Sequence, residues 1–242
     1  MASLIPQEAV RLSPLRMRWC RLAFVHWPFE PAAVQRLLPS GLLVEEYDGR
    51  AWVGLTPFVM TDIRPAGMPA VPAARRLATL LETNLRTYVR GPDGRDGLWF
   101  LSVHASGAVV SMMARASTGA PYHLGDLSVT EHGGVLACAG SRRGGEPFYQ
   151  LRIRPGDPID PSDFDVWLTT RWRVYTRRCG MLLRTPVWHE PWPLCTASVE
   201  ELAETVTSAA GLPRPAAEPI AHYTPGAGHV RIGLPRPAAA RH

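Results

Sequence analysis

Two short stretches of the chain contain side chains that could transfer protons. In "STGAPYHLGDL", Tyr122 and His123 follow a Gly and a Pro that interrupt the preceding segment. In "ETNLRTYV", Glu82 lies four residues before Arg86. Carboxyl, imidazole and phenol groups are the usual general acids and bases of enzymes, and a guanidinium can hold a carboxylate or an enolate oxygen. These residues predict proton transfer on a small organic acid.

The second stretch alternates like a β-strand, which places Glu82, Asn84, Arg86 and Tyr88 on one face. The simpler interpretation is the solvated face of an antiparallel sheet. The alternative is a polar wall inside a barrel, where Glu82 and Arg86 hold each other's charge. In that case Asn84 and Arg86 would contact a substrate, and Tyr88 would donate a hydrogen bond to a developing oxyanion.

Three histidines elsewhere in the chain are weaker candidates. His104 shares a strand face with Ser102 and is a candidate acid or base, although a hydrogen-bonded structural histidine is more common. His26 ends a predicted strand and could lie at the rim of a cavity inside the barrel, as a substrate-binding residue. In "VWHEPWPL", His189 and Glu190 are adjacent and would point to opposite faces of a strand, so we expect a structural role for both.

The composition excludes several kinds of chemistry. All 26 basic residues are arginine, so no side-chain amine can form a Schiff base and no P-loop lysine can hold a phosphate. The net charge is +5, but the arginines are interleaved with carboxylates, so we expect no nucleic-acid partner. The histidines lack metal-ligand spacing and the four cysteines are far apart, so we expect no metal and no cofactor.

The chain contains no run of eighteen apolar residues, and its start lacks the apolar segment and cleavage site of a secretory signal. We therefore expect no membrane partner, a cytoplasmic location and reduced cysteines.

The pattern of the chain predicts many short strands joined by Gly- and Pro-rich turns. Strands are expected at 20–27, 82–89, 98–105, 148–154, 171–178 and 181–188, and hairpins should turn at Asp48-Gly49 and Gly133-Gly134. A short helix is expected at 30–39, a Pro-rich loop at 64–73, and either a helix or a buried strand at 108–117. The clearest predicted helix covers residues 198–210, since Ser198 can cap it, Glu201 follows three residues later and Gly211 follows its end.

These elements predict one α+β domain over residues 1–242, with frayed ends at 1–14 and 236–242. The domain would be a large curved antiparallel sheet or a closed β-barrel with a few short helices.

The order of several segments strongly resembles the YqjF-like family of bacterial proteins. These segments are "FVHWPFEPAAVQRLLPSGLLVEEYDGRAWVGLTPFVM", "ETNLRTYV", "PYHLGDL", "RWRVYT", "VWHEPWPL" and "HYTPG". The family is similar, more distantly, to the acetoacetate decarboxylase superfamily. That similarity implies a cone-like antiparallel sheet around a mostly apolar cavity, often in an oligomer, so we expect a homo-oligomer.

The resemblance also assigns positions in the cavity. Decarboxylases of that superfamily carry a Pro-Lys-Lys run whose first lysine forms the Schiff base, and this run falls on Pro121-Tyr122-His123. A glutamate that faces the same cavity falls on Glu82. Both amines of the decarboxylases are therefore replaced in this chain.

We predict an enzyme that acts without a Schiff base on a small carbonyl or unsaturated acid, through an enolate. It would be a lyase, hydratase or dehydratase, isomerase or cyclase. Glu82 and His123, or His104, would pass protons, with Tyr122 as a second donor. The altered site and an arginine-only composition, typical of GC-rich genomes, suggest specialised-metabolite biosynthesis. The alternative is a non-catalytic protein that keeps the cavity for a ligand or as part of its structure.

Overall fold

The computed structural model describes residues 4–6, 8–69 and 79–238. The strands are β1 (Leu15–Phe29), β2 (Leu43–Val44), β3 (Glu46–Tyr47), β4 (Arg50–Pro65), β5 (Leu80–Arg90), β6 (Asp96–Ala105), β7 (Tyr122–His132), β8 (Val135–Arg142), β9 (Phe148–Pro158), β10 (Arg173–Arg178), β11 (Met181–His189), β12 (Cys195–Glu204), β13 (Ile220–Ile232) and β14 (Arg236–Pro237). The helices are α1 (Pro31–Gln35), α2 (Ala108–Thr118), α3 (Asp163–Thr169) and α4 (Val206–Ala209).

The strands of the described residues form one curved sheet that closes on itself, as the sequence predicts, although it is not a regular barrel. Its order is β14-β11-β10-β6-β7-β8-β9-β12-β13-β1-β4-β5-β2, with further pairing of β5 with β6 and of β11 with β13. All pairs are antiparallel except β6–β7 and β6–β10, so the sheet is mixed. The strands β13, β1, β4, β5 and β6 therefore belong to two closed circuits and form a wall between them.

This shared wall separates two packed interiors. One interior is closed by β7, β8, β9 and β12 and contains the larger apolar core, with Leu85 of β5 and Tyr149 of β9. The other is closed by β10 and β11 and contains a smaller core, with Phe24, Phe58 and Trp192. Because side chains alternate along a strand, each strand of the wall contributes residues to both interiors.

The predicted hairpins are confirmed at both turns. Asp48 and Gly49 have φ angles of 51° and 70°, and Gly133 and Gly134 have φ angles of 58° and 72°. Positive φ at both central residues gives the turn whose twist matches that of the flanking strands, which is why Asp-Gly and Gly-Gly pairs are favoured there.

The helix predicted at 198–210 is wrong, because β12 runs through Glu204 and only Val206–Ala209 are helical. The register of β12 against β9 shifts between Val199 and Glu201. This bulge puts the inward-facing Val199 and Leu202 three residues apart, which imitates the spacing of a helix face.

Other expected elements differ in detail. The helix expected at 30–39 is limited to Pro31–Gln35, and residues 108–117 are helical rather than extended. α3 was not predicted from the sequence, although Ser162 and Asp165 form a complete capping box at its start. Residues 64–65 of the predicted Pro-rich loop belong to β4, and residues 70–73 lie outside the described part.

The two segments predicted to be frayed contain residues with partners in the folded chain. Glu8 forms an ion pair with Arg95 at 2.9 Å, and Arg236 pairs with Arg184 as part of β14. Residues 1–3, 7 and 239–242 lie outside the described part.

Candidate active site

A mostly apolar cavity lies on the β10–β11 side of the shared wall. Its volume is about 130 Å³, similar to the roughly 150 Å³ engineered cavity that admits benzene. Its apolar lining is Trp19, Leu22, Phe58, Met60, Leu98, Phe100, Ala120, Val174, Val187, Trp192 and Ile232. Its polar lining is Thr56, Glu82, Asn84, Arg86, Thr118, Tyr122, Thr169, Arg171, Thr176, Thr185 and His189. The polar groups therefore converge on a space of the size of a small organic molecule.

The polar face predicted on β5 lies inside the protein. Glu82, Asn84 and Arg86 line the cavity, and each is less than 9% exposed. The interpretation of this face as solvated is therefore wrong. Thr83, between them in sequence, points to the other interior, where its hydroxyl lies 2.6 Å from that of Tyr149.

Glu82 is held in place by Tyr122. Tyr122 begins β7 beside Val103 of β6, and Val103 also pairs with Asn84, so Tyr122 and Asn84 share one face of the sheet. The Tyr122 hydroxyl donates a hydrogen bond to Glu82 Oε2 at 3.0 Å. Burial raises the pKa of Glu82 to about 7, although hydrogen bonds from Tyr122 and Asn84 lower it. This carboxyl group can therefore gain and lose a proton near neutral pH.

The pKa of Tyr122 is raised well above its ordinary value, first by burial and then by the charge of Glu82. The phenol therefore keeps its proton and acts only as a hydrogen-bond donor to the carboxylate.

Arg86 is a buried cation without an acidic partner. Among the residues that the structure describes, no carboxylate lies within ion-pair distance of its guanidinium, so the predicted Glu82–Arg86 pair is absent. Residues four apart on a strand are separated by roughly 13 Å, which is too far for a direct ion pair. The guanidinium instead lies over the Phe24 ring, 5.2 Å from its centroid, and burial lowers the pKa of Arg86. A buried cation of this kind favours an anionic ligand.

Tyr88 and His26 lie behind Arg86 and do not line the cavity. The Tyr88 hydroxyl donates to the backbone carbonyl of Leu168, so it accepts from Nε2 of His26 at 2.8 Å. With its proton engaged in this way, Tyr88 cannot donate to an oxyanion, contrary to the sequence-based expectation. His26 is fully buried rather than at a rim, and Gly54 leaves the space for it, since a Cβ there would lie 2.6 Å from His26 Cδ2.

His104 and His123 lie on the opposite face of the sheet from the cavity. They are cross-strand neighbours on β6 and β7, with ring centroids 5.9 Å apart, and His104 is also opposite Thr83. The His104 Nε2 lies 3.2 Å from the Ser102 hydroxyl. Because the segment is extended from Tyr122 onward, Tyr122 and His123 diverge, and only Tyr122 lies beside Glu82.

His189 is a cavity residue for which the sequence predicts a structural role. It ends β11 and is 3% exposed, whereas the Glu190 side chain points away, to Gly228 and His229. The two residues do diverge as predicted, but His189 diverges toward the cavity. The signal in the sequence was its place among the tryptophans of "VWHEPWPL", because an apolar run indicates the buried face of that strand.

Several buried polar atoms that line the cavity lack a hydrogen-bond partner among the described residues. They are Trp19 Nε1, Thr56 Oγ1, Asn84 Oδ1, Arg86 Nε, Arg171 Nε, Thr176 Oγ1 and Thr185 Oγ1. Arg171 nevertheless has acidic neighbours, with its guanidinium 3.1 Å from Glu45. Since buried polar groups are normally paired, a concentration of unpaired ones around one cavity indicates a binding site.

No group of three or more His, Cys, Asp or Glu side chains that could hold a metal ion occurs within the described ranges. None of the helices in the described part is both long enough and apolar enough to cross a membrane.

The fold is similar to that of the acetoacetate decarboxylase-like proteins. Acetoacetate decarboxylase of Legionella pneumophila aligns with a TM-score of 0.69 at 14% identity, over 93% of this chain and 87% of that chain. An acetoacetate decarboxylase-like enzyme from Sphingomonas wittichii RW1 has a TM-score of 0.66 at 17% identity, over 96% and 95% of the two chains. The enduracididine biosynthesis enzyme MppR, complexed with pyruvate, has a TM-score of 0.66 at 14% identity, over 96% and 93%. At these identities the similarity concerns the fold alone.

Sequence comparison identifies the family directly. Residues 16–228 match DUF2071, a family described as an uncharacterized conserved protein. The uncharacterized protein YqjF of Bacillus subtilis (strain 168) is 32% identical over 213 residues, which cover 86% of each chain. The chain therefore belongs to the DUF2071 family, and the predicted resemblance is confirmed.

Proposed function

We propose that this protein is an enzyme that transfers protons on a small carbonyl or unsaturated acid through an enolate, without a Schiff base. The observation that carries the proposal is the presence, in one apolar cavity, of a guanidinium on Arg86 that has no acidic partner among the described residues and of a carboxyl on Glu82 whose pKa is about 7. The first group binds an anion, and the second is protonated or deprotonated at physiological pH.

Arg86 binds the carboxylate of the substrate, or the oxygen of its enolate, in the mechanism that we propose. The cavity is largely apolar, so the attraction between opposite charges is stronger there than in water. A guanidinium can also make two parallel hydrogen bonds to a carboxylate, which fixes the orientation of the bound acid.

Glu82 takes the proton from the carbon next to the substrate carbonyl and returns it in the reverse step. Its ordinary pKa would leave it a weak base, and the rise to about 7 brings it close to the working pH, where general catalysis is most effective. Tyr122 holds the carboxylate in place through its hydrogen bond to Oε2, and that bond strengthens as the carboxylate forms.

The Schiff-base route of the related decarboxylases is closed to this chain, which contains no lysine. Proton transfer through an enolate needs no amine, and it underlies lyase, hydratase or dehydratase, isomerase and cyclase reactions. A neighbour of similar fold acts in enduracididine biosynthesis, which supports the expectation of a role in specialised metabolism.

The proposal is tested by the exchange of carbon-bound hydrogen with solvent. Pyruvate, 2-oxobutanoate and acetoacetate are incubated with the protein in D₂O, and loss of the proton signal next to the carbonyl is followed by NMR. We expect exchange with at least one acid, and Glu82→Gln should reduce its rate by at least about 100-fold.

His123→Phe is the matched control, since His123 is adjacent to Tyr122 but on the other face of the sheet. We expect it to leave the exchange rate unchanged. Saturable binding of an acid without exchange would instead identify a non-catalytic ligand-binding protein. Exchange that survives Glu82→Gln would contradict the assignment of the base.

A further inference from the structure

One cavity residue has no part in the proton transfer proposed above. The imidazole of His189 lies between the indoles of Trp172 and Trp192, with ring centroids 4.6 Å and 4.0 Å away. The interplanar angles are 27° and 25°, so both faces of the imidazole are stacked. This stacking fixes the plane of the ring and leaves its two nitrogens, at the ring edge, for hydrogen bonding.

The backbone determines which nitrogen of His189 carries the proton. Nδ1 lies 2.7 Å from the carbonyl oxygen of Glu190, and a carbonyl oxygen only accepts, so Nδ1 is the donor. Burial lowers the pKa of His189 to about 4, and the charge of Arg86 also lowers it, which keeps the imidazole neutral. A neutral imidazole with a proton on Nδ1 has a free lone pair on Nε2. No described residue donates a hydrogen bond to that atom.

A cation and a lone-pair acceptor therefore line the same small cavity. A carbonyl oxygen placed against Nε2 would bring two lone pairs together, whereas an O–H group would satisfy the nitrogen. A site built in this way discriminates strongly, because an analogue without the hydroxyl leaves a buried acceptor unpaired.

We propose that His189 is a specificity-determining residue that accepts a hydrogen bond at Nε2 from a hydroxyl group of the substrate or product. The ligand is then a small acid whose carboxylate binds Arg86 and whose alcohol or enol hydroxyl binds His189. This inference rests on the proposed function, because it takes Arg86 to bind an organic acid. Among the reactions of that proposal, it selects those in which one reactant carries a hydroxyl group, such as hydration and dehydration.

The test uses two pairs of acids that differ only in a hydroxyl group: lactate with propionate, and 3-hydroxybutyrate with butyrate. Binding to the wild-type protein is measured by NMR titration. We expect the hydroxylated member of at least one pair to bind about tenfold more tightly or better. In His189→Phe, which keeps an aromatic ring between the two indoles, this preference should fall below about twofold while the plain acid binds as before.

Glu190→Gln is the control, since the side chain of Glu190 points out of the cavity and is 44% exposed. It should keep the full preference. Equal binding within both pairs, abolished by Arg86→Met, would overturn the role of His189 and leave the proposed function intact. Failure of all four acids to bind would overturn this inference, and the exchange experiment on the keto acids would decide the proposed function separately. A preference that survives His189→Phe and disappears in Thr176→Val would assign the acceptor to the threonine and overturn the inference.

A second measurement does not depend on the folding of any variant. In ¹⁵N spectra of the ligand-free wild-type protein, we expect Nε2 of His189 to give the signal of an unprotonated ring nitrogen and Nδ1 that of a protonated one. Addition of the preferred hydroxy acid should shift the Nε2 signal. A proton on Nε2 in the ligand-free protein would overturn the proposal.

Discussion

The raised pKa of Glu82 predicts a specific dependence of stability on pH. Burial raises this pKa from 4.5 to about 7 in the folded protein, while the unfolded chain ionises near the ordinary value. Between these two pH values, the folded protein keeps a proton that the unfolded chain has released. The contribution of Glu82 to stability is therefore fully present below pH 4.5 and is lost as the pH rises through about 7.

The two pKa values of Glu82 also determine how much stability its ionisation removes. The pKa rises from 4.5 to about 7, and each pH unit of such a rise corresponds to ~1.36 kcal/mol, which gives about 3 kcal/mol in total. The substitution Glu82→Gln removes the ionisation but keeps the shape of the protonated acid and an oxygen that can accept from Tyr122. Relative to wild type, the free energy of unfolding of the variant should therefore rise by about 3 kcal/mol between pH 4.5 and pH 8.

Urea denaturation of both proteins at intervals from pH 4.5 to 8.5 measures this difference. The lowered pKa values of the buried His26, His104 and His189 make both proteins less stable as the pH falls below 6.5, and this effect cancels in the difference. Glu201→Gln, on an exposed part of β12, controls for the loss of a carboxylate in general.

A difference between Glu82→Gln and wild type that stays constant with pH would refute the reasoning. Glu82 would then not ionise near neutral pH in the folded protein, and the proposed reaction would lose its base.

Three further predictions concern Arg86, Tyr122 and Gly54. Arg86→Met should abolish the binding of acids. It should also raise the free energy of unfolding by on the order of 1 kcal/mol, because it removes a buried cation that has no acidic partner. Marked destabilisation in urea denaturation would contradict this prediction. Tyr122→Phe removes a hydrogen bond that lowers the pKa of Glu82. The midpoint of the pH–rate profile for exchange of the carbon-bound hydrogen should therefore move to higher pH. An unchanged midpoint would mean that the bond is not made in solution. Gly54→Ala places a Cβ 2.6 Å from the His26 ring and should cost about 1–3 kcal/mol of stability by urea denaturation; a neutral result would show that His26 can move aside.

The strands and hairpin turns of this chain could be predicted because their signals are local. Asp48-Gly49 and Gly133-Gly134 each specify a turn with two residues. In β5, side chains of residues 82–86 alternate regularly between the two faces of the strand. The same local logic fails in β12, where the bulge between Val199 and Glu201 replaces the period of two by a spacing of three. A bulge is determined by the partner strand, which a single segment of sequence does not specify.

The wall of the cavity likewise depends on contacts with distant segments, which the local sequence does not specify. Alternation correctly places Glu82, Asn84 and Arg86 on one face, but a polar face of this kind usually meets solvent. It is buried here because β10 and β11 close a second circuit over it, through pairings with β6 and β13. These contacts join segments that are distant in the chain, so they cannot be derived from the pattern of β5 itself.

The two adjacent pairs Tyr122-His123 and His189-Glu190 show where reasoning from alternation stops. In both pairs the rule that neighbours on a strand diverge is correct. It states that one residue of each pair can face the cavity, but not which one. For the first pair the resemblance to the decarboxylases favours Tyr122, because it implies that the position of the Schiff-base lysine falls there. For the second pair the structure decides, because His189 stacks on two indoles and lines the cavity. Two adjacent titratable residues on a strand next to tryptophans therefore indicate that one of them is a candidate site residue, and are not, as we inferred from the sequence, evidence against a site.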